Sequence, residues 1–156
     1  MIGNHLRLTL AELDRALEDP AWVGELVDGV DEDDARLHST GKAWHALAFA
    51  TGRRGFPVDV VRGEHDVPGA EDRGYGPPRY LTRDEVWDAA RFAARTDPGA
   101  LLGDLTPEDL VAAEVYPVSW WADEDALHLL AGEYAELSRF LRSAARSGDA
   151  VLTWIS

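Results

Sequence analysis

The sequence predicts a helix-rich α+β domain, and three observations carry that reading. Apolar residues recur at helical spacing in six or seven stretches, several of which open on capping residues. Short β-like runs lie at both ends and in the middle of the chain, not in regular alternation with the helices, which argues against a parallel βαβ sheet. The length of 156 residues matches one ordinary domain that can bury a core without metal or disulfides. Residues 1–156 are therefore expected to form a single domain. Its small mixed sheet should have three or four short strands, with the N- and C-terminal strands paired.

His5 to Leu8 alternates as a strand does, and Thr9-Leu10-Ala11-Glu12 is a capping box that opens a helix to about Glu18. Asp19-Pro20 starts a second helix, whose apolar positions are Trp22, Val23, Leu26, Val27 and Val30. The acidic run Asp31-Glu32-Asp33-Asp34 reads as a solvated connection. Residues 39–52 then read as a central helix, apolar on nearly every side, with the polar start Ser39-Thr40-Gly41 and a stop at Gly52. Such a helix has to be buried.

From Arg53 to Pro78 the chain is rich in Gly, Pro and charge, and Val58-Asp59-Val60-Val61 fits either a short strand or a helical turn. Gly74-Tyr75-Gly76-Pro77-Pro78 is a rigid turn that delivers an extended segment at Arg79-Tyr80-Leu81. A second capping box, Thr82-Arg83-Asp84-Glu85, opens a helix to about Arg95, and short helices follow at 98–102 and after Thr106-Pro107. Val115 to Trp121, β-branched and aromatic around Pro117, reads as an edge strand. Asp123 starts the longest helix, with the stripe Leu127, Leu130, Tyr134, Leu137 and Leu141, and Gly148 ends it. Asp123 and Glu124 suit the positive end of its dipole. Ala150 to Ile155 is apolar enough to lie inside a sheet. No repeat of 20 to 50 residues is visible.

A net charge of −14 argues against binding to nucleic acid or an anionic membrane, because no basic footprint exists to displace counterions. The longest apolar run, near Ala46 to Ala50, is far short of the roughly 20 residues a membrane span needs. The opening Met1 to Arg7 does not read as a secretory leader, and the lack of cysteine suits a reducing compartment, so the expected location is the cytoplasm. Charge is uneven along the chain. Residues 39–80 hold five acids and six bases, whereas the segments on either side are strongly acidic.

The near-neutral segment contains the only lysine, Lys42, beside Trp44-His45. Gly41-Lys42 is not a phosphate loop: Arg36 stands where that motif needs glycine, and Ala43 where it needs a hydroxyl. His45 among apolar neighbours reads first as a hydrogen-bonded core histidine. Glu64-His65-Asp66 reads as a solvated loop before it reads as a metal site, because consecutive loop residues rarely converge on one ion. No catalytic signature is present, so no catalytic residue, metal ligand or cofactor is expected. Tyr75, Tyr80, Tyr116, Trp120 and Trp121 sit at element ends. An exposed apolar patch at Trp120 and Trp121 would suggest a scaffolding role.

Several landmarks, in order, resemble the YfbM-like family of small bacterial proteins, a domain of unknown function. They are Lys42-Ala43-Trp44-His45 with Thr51-Gly52, Gly74-Tyr75-Gly76-Pro77 leading to Tyr80-Leu81-Thr82, Val115-Tyr116-Pro117, and Ala150 to Ile155. The resemblance implies an α+β fold of bacterial, cytosolic type and supplies no reaction. Family members usually carry an Asp-x-Asp-like pair where this chain has Ser39-Thr40-Gly41. Any activity of those acids should be missing here.

Two functions are expected from these features. The first is a non-enzymatic module whose acidic surface meets a protein partner, as in small antitoxin or immunity proteins. The alternative is a binder of, or enzyme acting on, a small anionic ligand, with Lys42, His45, Tyr75 and Arg79 forming its site.

Overall fold

The computed structural model describes residues 1–123 and 125–156. Its centre is a five-stranded sheet in which β1 (Gly3–Leu8), β2 (Leu37–Gly41), β3 (His65–Asp66), β4 (Arg79–Leu81) and β5 (Ala150–Ile155) stand in the order β2-β1-β5-β4-β3. The N- and C-terminal strands pair as expected, with Leu6 opposite Leu152. All neighbouring strands are antiparallel, so the expectation of a mixed sheet of three or four strands is corrected on both counts. Between β1 and β2 the helices α1 (Leu10–Glu18) and α2 (Pro20–Gly29) form a hairpin, and β2 then runs back against β1.

The strand faces separate two layers. Leu6, Leu8, Leu152 and Trp154 pack toward α1 and α2 through Ala16 and Val23. The other face meets α3 (Trp44–Arg54), α4 (Arg83–Ala94) and α7 (Ala126–Ser147), where Leu81 and Val151 pack on Val86 and Ala144. α7 buries Leu130, Tyr134, Leu137 and Leu141 as its stripe predicted, but Leu127 is only partly buried. It begins at Ala126, later than expected, and ends at Gly148. Glu124, read with Asp123 as part of its start, lies outside the described residues. Arg7 ties β1 to the end of α7 through Asp149, Ser143 and Ser147.

Capping chemistry was a sound guide. Thr9 with Glu12, and Thr82 with Glu85, form complete capping boxes at α1 and α4. Short helices α5 (Pro98–Leu102) and α6 (Pro107–Ala112) follow Asp97 and Thr106 caps. Among the described residues, no helix is long and apolar enough to cross a membrane.

The central helix differs at both ends from its expected span. Residues 39–41 belong to β2, where the Thr40 hydroxyl donates to the Gly3 carbonyl at 3.2 Å, so a strand partner takes the group expected to cap a helix. Gly52 lies within α3, and the stop is Gly55, whose φ of 81° is the left-handed geometry that closes a helix. The expected strand at 115–121 is instead a cis Tyr116–Pro117 bond and a 3-10 turn at Val118–Trp120. The Val115 amide donates to Leu110 and the Tyr116 amide to His45, so neither is available to a strand ladder. Residues 58–61 form a turn, with Asp59 accepting from the amides of Val61 and Arg62.

Candidate functional site

Two prolines border an apolar cleft at the end of the sheet. Pro77 and Pro78 have no amide to offer a ladder, and pairing of β4 with β5 stops at Arg79 opposite Thr153, while β5 continues to Ile155. The space beside the end of β5 is a cleft of about 270 Å³. The indole of Trp44, delivered by the first turn of α3, forms part of its lining together with Val61, Trp154 and Ile155. Tyr75, Gly76 and Pro77 supply another part, and Arg62, Asp66 and Arg79 bring charge.

The two guanidinium groups are not equivalent. Each nitrogen of Arg79 is engaged: Nε donates to the Gly63 carbonyl at 3.2 Å, Nη2 to the Glu64 carbonyl at 2.9 Å, and Nη1 pairs with Asp66 at 3.1 Å. Arg62 lies with its guanidinium carbon 5.5 Å from the Trp44 ring centroid, and its Nη1 stands 3.5 Å from Asp59. With five N–H donors and, among the described residues, a single ion pair, Arg62 keeps capacity for a further anion. Gly63 between them is required by its surroundings: a β-carbon there would stand 2.6 Å from the Thr153 hydroxyl and 2.9 Å from the Arg79 β-carbon, and φ is 84°.

Of the four residues singled out from sequence, Tyr75 and Arg79 line this cleft, and Lys42 and His45 do not. Lys42 is exposed and places its ammonium 5.6 Å from the Trp120 ring centroid, a cation–π contact on another face. His45 stacks on Trp44 at 5.0 Å, and its Nδ1 accepts the Tyr116 amide at 3.0 Å, which leaves the proton on Nε2. Burial first, and then the charge of Arg62, hold its pKa below the usual histidine value. His45 thus supports the wall that Trp44 presents. Trp120 is exposed but Trp121 is fully buried, so the two do not form one apolar surface.

Glu64, His65 and Asp66 turn to three separate partners: the Asp59 amide, Glu85 at 2.7 Å, and Arg79. Among the described residues, no group of three or more His, Asp or Glu side chains is placed to hold a metal ion. Sequence reasoning missed Arg62, Asp66 and the end of β5 as cleft residues. The available signal was a proline pair immediately before a strand that had to pair with the apolar C-terminal segment.

The chain matches a family model described as a domain of unknown function, DUF1877, over residues 1–154. No curated protein matches it. Among solved structures it is similar to YfbM from Escherichia coli, titled a protein of unknown function, with a TM-score of 0.71, 18% identity and 98% of each chain covered. That likeness shows the shared α+β fold, and with the family match over nearly every residue, the chain belongs to the YfbM-like DUF1877 family.

Proposed function

We propose that the protein binds a small anionic ligand with a flat apolar body, held in the cleft beside the end of β5. The observation that carries this reading is the pairing of an available guanidinium, Arg62, with the aromatic wall of Trp44 and Tyr75 in one cleft. Its volume suits a compact metabolite. The Thr153 hydroxyl donates to the Arg62 carbonyl and Asp66 is paired with Arg79, so these groups serve structure, which favours binding over turnover. A bacterial cytosolic setting accords with the absence of cysteine.

The test is a titration with 3-phenylpropanoate followed by tryptophan fluorescence, since Trp44 and Trp154 line the cleft. Wild type should saturate, Arg62→Ala should bind at least fivefold more weakly, and Lys42→Ala should bind as wild type does. Absence of any saturable signal up to millimolar concentrations rejects the proposal.

A second reading rests on α1, α2 and the turn after them, where Asp14, Glu18, Asp19, Glu25, Asp28, Asp31, Glu32 and Asp33 are exposed. Such a face suits a basic protein partner, the antitoxin-like or immunity-like role expected from charge. Salt-sensitive capture of a basic partner, lost on neutralising Glu25, Asp28 and Asp31, would support it.

A further inference from the structure

The phase of hydrogen bonding along β5 identifies what the cleft offers beyond charge and aromatic surface. Ile2 and Ser156 exchange both backbone bonds, at 2.7 and 3.0 Å. In an antiparallel pair such bonded positions alternate with unbonded ones. With Gly3 opposite Ile155 and Asn4 opposite Trp154, the bonded pairs toward β1 are Asn4 with Trp154 and Leu6 with Leu152. Val151, Thr153 and Ile155 therefore point their amides and carbonyls the other way, toward β4. Leu81 meets Val151 and Arg79 meets Thr153. The next place belongs to residue 77, which is a proline outside the strand, and no backbone bond to Ile155 comes from the loop that contains it. The Ile155 amide and carbonyl thus face the cleft as an unpaired donor and acceptor at the end of an otherwise satisfied strand.

A residue in a bonded antiparallel position uses its own N–H and its own C=O together. We infer that the cleft binds the N–H and α-carboxylate of an acylated amino acid as one added residue of sheet opposite Ile155. This inference rests on the ligand-binding reading above and names the ligand class. The ligand N–H donates to the Ile155 carbonyl, and one carboxylate oxygen accepts from the Ile155 amide. Arg62 is the cation available for the carboxylate charge. Directly opposed residues put their side chains on the same face of a sheet. Ile155 packs with the cluster that contains Trp44 and Val61, so the ligand's side chain enters that aromatic and apolar side. A flat apolar side chain fits it best. Acylation also removes the ammonium charge that Arg62 would repel.

The test compares N-acetyl-L-phenylalanine, its N-methyl derivative and 3-phenylpropanoate by calorimetry on the full chain. N-acetyl-L-phenylalanine should bind at least tenfold tighter than the N-methyl compound, which keeps charge and ring but has no N–H. It should also bind at least tenfold tighter than 3-phenylpropanoate. Arg62→Ala, checked for unchanged thermal stability, should weaken it at least tenfold. Equal binding of all three compounds overturns the strand-pairing inference while leaving the anion-binding reading intact, and binding of none overturns both. The same N–H and carboxylate occur at the end of a peptide chain, so Gly-Gly-Phe is a further arm. Tenfold tighter binding of that tripeptide assigns the site to chain ends, and equal or weaker binding assigns it to acylated amino acids.

Discussion

Acid should destabilise this protein well above the range in which carboxylates titrate, and His5 is the reason. Its side chain is fully buried on the face of β1 that meets α7. Nε2 donates to the Val60 carbonyl at 3.1 Å, and Nδ1 is buried with no hydrogen-bond partner among the described residues. The rings of His38 and Phe140 each stand 5.9 Å away, with Glu136 and Arg139 of α7 beside His38. Burial first, then the neighbouring His38, push the His5 pKa from 6.5 to about 3. The unfolded chain therefore binds this proton before the native state does. The His5 contribution to stability is present above pH 6.5 and is lost as pH falls from there toward 3. The limiting slope is about 1.4 kcal/mol per pH unit for one group, and between pH 7 and pH 5 His5 alone removes about 2 kcal/mol. His38, also lowered chiefly by burial, acts in the same direction. Urea unfolding at pH 7, 6 and 5 measures the effect, with His5→Gln as the comparison. The variant should be less stable at pH 7 yet lose about 2 kcal/mol less than wild type between pH 7 and 5. An equal pH dependence in the two proteins would refute the assignment.

Three other perturbations follow from single contacts. Gly63→Ala forces a β-carbon onto Thr153 and Arg79 at a left-handed φ, and urea unfolding should show a loss of about 2 to 3 kcal/mol. Tyr134 donates its hydroxyl to the Thr96 carbonyl at 2.7 Å in a buried site, so Tyr134→Phe should cost about 1 to 2 kcal/mol in the same assay. The same burial raises the Tyr134 pKa to about 12, so ultraviolet titration should show one phenol ionising only on alkaline unfolding. Thr82→Ala removes half of the capping box that starts α4 and should lower stability by about 1 kcal/mol, read as a reduced melting temperature.

Local chemistry was the legible part of this sequence. Thr9 with Glu12 and Thr82 with Glu85 declare helix starts within four residues, and the α7 stripe declares its buried face. Strands that depend on a distant partner were harder to read. Leu37-His38-Ser39-Thr40-Gly41 has no strand signature of its own and is extended because β1 offers it an edge. His65 and Asp66 are a strand for the same reason, against β4. The cleft's lining was half legible: Tyr75 and Arg79 were singled out with Lys42 and His45 because they lie in the near-neutral middle segment, and of the four only these two line the cleft. Arg62 and the unpaired end of β5 were missed because the first is brought in by a turn between distant elements and the second is visible only in the strand register. Lys42 drew attention by its rarity, but in the fold it rests over Trp120.

The proposed binding site at the end of β5, with Trp44 and Arg62, has a residue-by-residue signature. Amide and indole NMR shifts on addition of N-acetyl-L-phenylalanine test it most directly. Binding should move the Ile155 amide downfield and slow its exchange, with accompanying shifts at Trp44, Arg62 and Tyr75. No shifts at those residues, or shifts confined to α1 and α2, would contradict it.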